Sequence, residues 1–253
     1  MPKWAGRTLI VVTYGGGSLL LILILLSVSV RIQDWVFRRR VERLFSDIQS
    51  MDITHTTFQQ VRSVAVQWDG SVGFVKPCTE QYCNFDAGIS EPTSWHNNPM
   101  FVRFIRVFLP FYRFLGGHAA IVRASIHVRN GVVQAKYYSL AIEAPPVVDA
   151  DGRSLTYYVE GGISTEPQAE ASDPVLQAMN KHLAYQIGSN ACLGCVEIHV
   201  IFTPSADPAD VRRLSHINFS CLTRQHPCRT REDIMPFAAS ERPQKIQPSD
   251  ARP

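Results

Sequence analysis

The sequence lacks the short motifs that identify most enzymes and nucleic-acid-binding proteins. It contains no H-x3-H or H-E-x2-H spacing for a metal, no nucleophile elbow and no glycine-rich phosphate loop. Its formal net charge is only +3, and the cluster Arg38–Arg40 with Arg43 supplies much of the excess, with no basic stripe through the folded part. We therefore expect no nucleic-acid partner, no cofactor, and no catalytic or metal-binding residue recognisable from a motif.

Charge is also absent from Leu9 to Val30, an apolar run near the N-terminus. At about 1.5 Å per residue, a helix of this length spans a hydrocarbon core of about 30 Å. We therefore predict a transmembrane anchor that contacts the lipid bilayer through residues 9–30. The alternative is a cleaved signal peptide, with Lys3 and Arg7 before the run and Ser27–Ser29 as its cleavage site. The run exceeds the roughly 7–15 apolar residues of a signal peptide, which favours an uncleaved signal-anchor.

Basic residues flank the apolar run on both sides and leave its orientation open. Lys3 and Arg7 precede it, whereas Arg31 and the cluster at 38–43 follow it. By the positive-inside rule alone, the larger group after the run would hold the rest of the chain in the cytoplasm. The cysteines favour the opposite orientation, with residues 1–8 in the cytoplasm and the chain after Arg31 outside.

Six cysteines fall into three local pairs, Cys78 with Cys83, Cys192 with Cys195, and Cys221 with Cys228. An even number in close couples is typical of disulfides in an oxidising compartment, although six cysteines allow fifteen pairings. The C-x2-C at Cys192 is also compatible with a redox dithiol or half of a zinc site. A redox dithiol needs a helix after its first cysteine, and a zinc ribbon needs a second C-x2-C. A strand-like segment follows instead, so structural disulfides are favoured.

The rest of the chain alternates between helical and strand-like patterns. Apolar residues recur at helical spacing from Arg31 to Met51, and Asn130-Gly131 is typical of a type I′ turn. This turn joins the predicted strands Ala120–Val128 and Val132–Ile142. Further predicted helices cover Phe58–Trp68, capped by Thr54, Thr56 or Thr57, Asp173–Lys181 and Asp207–Leu214; further strands cover Val72–Lys76, Asn84–Ile89, Leu155–Val159, Val196–Phe202 and, at an edge, Ile217–Leu222. These patterns predict an α+β fold, with an antiparallel sheet and packed helices behind the transmembrane helix.

The segment from Met100 to Leu115 combines an apolar helix pattern with arginines. Arg103, Arg106 and Arg113 share one helical face, and phenylalanines cover much of the remainder. Such a helix either packs on the sheet with its arginines outward or lies in the headgroup layer with its arginines on phosphates. Packing on the sheet is favoured, because any helix that covers a sheet needs an apolar face. The three arginines remain candidate contacts to a membrane surface.

Two segments carry a resemblance to known proteins. Together with the N-terminal apolar segment, Cys78–Phe85 and Ser220–Arg224, with Cys228 and Met235-Pro236 after the latter, resemble uncharacterised bacterial membrane-anchored proteins, a family that implies no activity. In addition, Ile48–Trp68 is similar to the helix-turn-helix opening of BamE-like envelope proteins, in which a Gly-x-Thr precedes the second helix. In this chain the corresponding stretch is Ile53–Thr56.

The predicted organisation follows from these segments. Residues 1–8 form a cytoplasmic tail, 9–30 the anchor, 31–68 juxtamembrane helices, 69–238 an α+β domain outside the cytoplasm, and 239–253 a disordered tail. The leading hypothesis is a non-enzymatic, membrane-tethered module that binds another envelope protein or the membrane surface. The alternative is an enzyme, either a thiol oxidoreductase at Cys192 and Cys195 or a hydrolase whose residues meet only in the fold.

Overall fold

A computed structural model describes residues 3–68, 71–72, 78–91, 111–117, 119–148, 154–165, 185–188, 191–192, 195–224, 228 and 230–241. The N-terminal element is one helix, α1 (Lys3–Gln49), of 47 residues. It joins the apolar run and the predicted juxtamembrane helix without a break. By length and composition it can cross a membrane, a test that a signal sequence or a core helix also passes.

The two halves of α1 have different surroundings. From Gly16 to Ile22 the side chains are exposed on all sides. From Leu23 onward a stripe of residues spaced three, four or seven apart turns toward the domain, which is the spacing of one helical face. The buried apolar residues of this stripe are Val30, Phe37, Val41, Leu44, Phe45 and Ile48.

The second helix, α2 (Phe58–Gln67), begins where predicted. Thr57 is its N-cap, in a capping box with Gln60. Trp68 at its end donates from Nε1 to the Asp47 carboxylate of α1, 2.9 Å away. Thr54, in the preceding turn, has a φ of 69°, a backbone conformation that favours glycine.

The described strands form one eight-stranded sheet, in the order β1-β2-β3-β4-β5-β8-β6 with β7 paired to β8. Neighbouring strands are antiparallel except β5 and β8, which are parallel. The strands are β1 (Ser71–Val72), β2 (Tyr82–Glu91), β3 (Ala120–Arg129), β4 (Val132–Val148), β5 (Ser154–Ser164), β6 (Tyr185–Gly188), β7 (Ala191–Cys192) and β8 (Cys195–Phe202). With the helices, this arrangement confirms the α+β fold class.

The predicted hairpin is confirmed between β3 and β4. Asn130 and Gly131 both have positive φ, 51° and 81°, as a type I′ turn requires. The turn also receives α2, because Phe58 N–H donates to the Gly131 carbonyl over 2.9 Å. The hairpin therefore fixes where α2 begins.

Strand β5 is longer than predicted, because it continues through Gly161 and Gly162. These glycines pair with Tyr138 and Tyr137 of β4. A Cβ at Gly161 would overlap the Tyr138 ring, and one at Gly162 would overlap the Tyr137 ring. The glycines do not end the strand; they make room for two tyrosines on opposite faces of the sheet.

The chain after β8 packs as short helical turns. Helix α3 (Pro208–Leu214) is capped by Asp207 as predicted. The predicted edge strand Ile217–Leu222 is wrong: Phe219–Leu222 is a 3-10 helix, whose Asn218 cap accepts from Ser220 N–H. An asparagine cap outweighs the strand propensity of a short apolar run. Helices α4 (Arg231–Ile234) and α5 (Pro236–Ser240) follow, so ordered structure extends past the predicted boundary at 238.

One face of the sheet holds the core. Along β3 the residues from Ala120 to Val128 alternate between buried and more exposed, as a half-buried strand does. The buried set packs with α1, α2 and the chain from Ala206 to Ala239. The predicted helix 173–181, most of the predicted strand 72–76 and the tail after residue 241 lie outside the described residues.

Candidate functional site

A half-open cavity of ≈ 530 Å³ lies where α1, the sheet and the chain after β8 meet; we call it the seam cavity. It falls within the size range of ligand pockets, about 300–1,000 Å³. Three groups of residues line it: Glu42, Phe45, Ser46, Ile48 and Gln49 from α1; Lys136, Tyr138, Gly162, Ile163 and Phe202 from the sheet; and Val211, Arg212, Ser215, His216, Ile217 and Phe219 from the last part of the chain.

The interior of the seam cavity is aromatic. The Phe45 ring lies 4.8 Å from that of Tyr138 and 4.9 Å from that of Phe219, measured between centroids. Such tilted and edge-on pairs are the favoured geometry for aromatic rings. Since Phe45 belongs to α1, the wall of the cavity is assembled from both ends of the chain.

The rim of the seam cavity is charged, with both signs present. Glu42 accepts from Arg38 at 2.7 Å and lies 3.8 Å from Arg39 on the same helix. Arg212 and His216 are exposed on the opposite side, where the His216 ring stacks edge-on against Phe237. An apolar interior inside a charged rim is the anatomy of a protein-binding hot spot.

Lys136 closes the end of the cavity next to the C-terminus of α1. Its Nζ donates to the carbonyls of Ile48 at 3.1 Å and Gln49 at 3.0 Å, and also to that of Met51. These carbonyls have no partner within the helix, and a cation here also interacts favourably with the helix dipole. Lys136 is thus committed to holding α1 on the sheet.

A β-bulge brings Lys136 to this position. His127 pairs with Ala135, and the next residue of β3, Val128, pairs with Val133, so Gln134 is an extra residue in β4. A bulge changes which face the following residues occupy. Tyr138, Leu140 and Ile142 consequently join Val133 in the core, and Lys136 lies on their face of the sheet.

Two ionisable groups of the cavity have shifted pKa values. Burial lowers the pKa of Lys136 to about 8, while the nearby Asp52 carboxylate acts in the opposite direction. Burial also raises the pKa of Tyr138, with Ser215 acting in the opposite direction. The Tyr138 hydroxyl is enclosed, and among the described residues it has no hydrogen-bond partner at standard distance and angle. It therefore remains protonated and uncharged across the physiological range.

Two of the three predicted disulfides are confirmed. Cys78–Cys83 and Cys221–Cys228 are bonded, with Cα–Cα separations of 4.4 Å and 5.3 Å. The side chains of Cys192 and Cys195 lie outside what the structure describes, so their pairing stays a prediction. Their backbones are cross-strand partners in β7 and β8. Cys192 therefore lies in a strand and not at a helix N-terminus, which removes one of the conditions that lower a thiol pKa.

Of the three arginines predicted to contact a membrane surface, the structure describes only Arg113. Arg103 and Arg106 lie outside the described residues. Arg113 lies in a helical turn at 111–114 and is half-buried, and its neighbour Tyr112 is buried against α1. His127 and His199 lie in β3 and β8 as predicted, and no group of three or more metal-ligating side chains occurs among the described residues.

No protein family model, curated protein or solved structure matches this chain. The resemblances to membrane-anchored and BamE-like proteins therefore remain expectations, and the function must be argued from the geometry.

Sequence reasoning missed the seam cavity. Its residues come from positions 42–49, 136–163 and 202–219, and no local pattern connects these segments. Two signals were present in the sequence: the paired tyrosines at 137 and 138, and the glycines at 161 and 162 that accommodate them.

Proposed function

We propose that the protein is a non-enzymatic module tethered to the membrane by α1, with its domain outside the cytoplasm, and that it binds another envelope protein through the seam cavity. The observation that carries this proposal is the half-open aromatic cavity with a rim of both charge signs. An apolar side chain of the partner would occupy the interior, and polar groups of the partner would meet the rim.

The placement outside the cytoplasm is supported by the cysteines. Cys221 and Cys228 are both buried, and structural disulfides of this kind form in oxidising compartments. The apolar part of α1 supports the tether to the membrane.

Because α1 continues into the core without a break, a partner bound at the cavity would be held at a fixed distance from the membrane. This distance is about 18 Å or more, measured along the helix from Val30.

A catalytic role has less support. Among the described lining residues, Lys136 is committed to three backbone carbonyls, Glu42 to two arginines, and the Tyr138 hydroxyl is enclosed. General acid–base chemistry needs a titratable group within reach of a substrate. His216 is a titratable group, but it lies exposed at the rim against Phe237, whereas the interior of the cavity offers apolar surface.

The test fills the mouth of the cavity. Ser46 is exposed on α1 and lines the cavity, so Ser46→Trp blocks the entrance without replacing a core residue. Ser63, exposed on α2 and outside the lining, provides the matched control Ser63→Trp. The full chain is produced in its own membranes with a photo-crosslinking residue at Arg212, and its adducts are compared between the two variants.

We expect one discrete protein adduct, which Ser46→Trp reduces at least tenfold and Ser63→Trp leaves unchanged. Equal adducts in both variants would show that the cavity is not the binding site. A small molecule that co-purifies with the wild type and is lost in Ser46→Trp, with no protein adduct, would replace the protein partner by a diffusible ligand. Either result overturns the proposal.

A further inference from the structure

Beyond Val30, where the uncharged run ends, α1 still exposes apolar side chains. Ile32 and Trp35 are 58% and 54% exposed, and Val36 is 45% exposed. At 100° per residue these three project from the face opposite to the buried Val30 and Asp34. They therefore point away from the domain.

A domain segment exposes aromatic rings at the same level of α1. Residues 111–117 pack against α1, where Tyr112 and Leu115 form a small cluster with Val30 and the partly buried Leu23. The Ser27 hydroxyl donates to the Leu115 carbonyl, 3.3 Å away. On the outer side of this segment Phe114 is 77% exposed, and its ring stacks with that of Phe111, 6.5 Å between centroids.

Two charged residues of α1 at this level, Arg31 and Asp34, are turned toward the protein. Asp34 is buried and accepts from the Tyr112 hydroxyl at 3.1 Å. The Arg31 guanidinium donates to the Thr223 carbonyl at 3.2 Å and lies against Gly116, where a Cβ would come within 3.0 Å of it. The side chains that face outward at this level are therefore mainly apolar, although Arg31 and Asp34 lie in the same stretch of α1.

We infer that the apolar collar formed by Ile32, Trp35, Val36, Phe111 and Phe114 lies in the headgroup and upper acyl layer of the phospholipid bilayer that α1 crosses. The domain then rests on the membrane surface and is not held away from it on a helical stalk. This inference depends on α1 crossing the membrane and is independent of what the seam cavity binds.

Lipid fits the collar better than a partner protein does. Apolar side chains are exposed on opposite sides of α1 at one level, and a bilayer surrounds a helix whereas a protein surface covers one side of it. The stretch from Leu9 to Val36 is also about 42 Å long as a helix, which matches a bilayer with its headgroup layers, about 40–45 Å.

The residues at the ends of the collar are those expected at a bilayer surface. Trp35 is an interfacial residue by type, and the Arg39 guanidinium lies over its ring at 5.1 Å from the centroid. The exposed Arg39, Arg40 and Arg43 follow, where cations would meet lipid phosphates.

The test uses the full chain in vesicles of phosphatidylethanolamine and phosphatidylglycerol that contain two photoreactive lipids, one with the reactive group near its headgroup and one with it on the acyl chain. After illumination, lipid adducts are mapped by mass spectrometry. Two exposed apolar residues far from this level, Val66 on α2 and Phe237 on α5, serve as internal controls. We expect at least tenfold more adduct on the peptides with Trp35 and Phe114 than on the two control peptides.

A variant sharpens the test. Phe114→Asp should reduce the adducts at 111–117 several-fold and leave those at Ile32–Val36 unchanged, whereas Val66→Asp should alter neither. Strong labelling of Leu19–Leu26 with only control-level labelling of the collar would show a domain standing clear of the membrane and overturn the inference. Absence of label on Leu19–Leu26 as well would overturn the tether itself, and with it both proposals.

Discussion

Both halves of α1 carry large aliphatic side chains, but these meet different surroundings. Leu19, Leu20 and Leu21 are all more than half exposed, whereas Leu44 and Ile48 are buried in the core. The difference lies in periodicity. The first stretch is apolar all round, which suits lipid, and the second is apolar on one face, which suits a sheet. One helix therefore combines a stretch whose composition suits a bilayer with a stretch that packs in the protein interior.

The largest expected effect comes from making one substitution at both ends. Leu44→Ala should lower the free energy of unfolding by about 2–5 kcal/mol, because it leaves a cavity in a packed core. Leu21→Ala should change it by less than about 0.5 kcal/mol, because Leu21 is 58% exposed and buries little surface against protein. Denaturant titration of both variants in detergent micelles measures the difference. Equal losses would show that the N-terminal half also packs on protein.

The next effect concerns the segment on which the middle of α1 rests. Thr223, just after the 3-10 helix, accepts from Arg31 and Arg38, and the buried Cys221–Cys228 disulfide holds it. Replacing both cysteines by serine should lower the free energy of unfolding by about 2–4 kcal/mol. The same change at Cys78 and Cys83 should cost less, because Cys78 is only partly buried. Equal losses of unfolding free energy in the two double variants would show that burying both sulfurs adds nothing to the stabilisation by a disulfide.

A smaller effect is expected at the C-terminal end of α1. Lys136→Met leaves the carbonyls of Ile48, Gln49 and Met51 without their shared donor, which should cost about 1–2 kcal/mol at pH 7. An unchanged free energy of unfolding would mean that water replaces the ammonium at no cost. Gln49→Met, exposed on the same helix, is the control and should be neutral.

Lys136 also predicts a pH dependence. Its pKa is about 8 in the folded protein and 10.5 when unperturbed, so between these values the unfolded chain binds more protons. The free energy of unfolding therefore rises with pH across this window. The rise is measured as the wild type minus Lys136→Met, which cancels other titrating groups. A difference that stays flat or falls from pH 8 to 10.5 would contradict the lowered pKa.

The smallest effect lies in the turn that leads from α1 to α2. Thr54 has a positive φ, which is costly for a β-branched residue. Thr54→Gly should therefore stabilise the protein by about 1 kcal/mol in thermal unfolding. Thr56→Gly, at a position without positive φ, should destabilise it slightly, because glycine only adds freedom to the unfolded chain. Two shifts of the same sign would refute this account of the turn.

Local patterns predicted the elements whose geometry is set by neighbouring residues. Asn130-Gly131 is sufficient for a type I′ turn, Asp207-Pro208 for a helix start, and the close cysteine pairs for two disulfides. Prediction failed in two places, one decided by residues of another strand and one by a local cap. A strand end was predicted at Gly161 and Gly162, because their tyrosine partners lie in another strand. A strand was predicted at Ile217–Leu222, because Asn218 was not recognised as a helix cap.

The sequence by itself determined that an apolar helix precedes an α+β domain stabilised by disulfides, because helical periodicity, turn chemistry and cysteine spacing all act over a few residues. Only the tertiary structure decided the seam cavity and the apolar collar. The cavity required a bulge at Gln134 to bring Lys136 and Tyr138 to the end of α1. The collar required residues 111–117 to pack beside Leu23 and Val30. Both depend on contacts between residues far apart in the chain, whose positions are set by packing and not by local propensity.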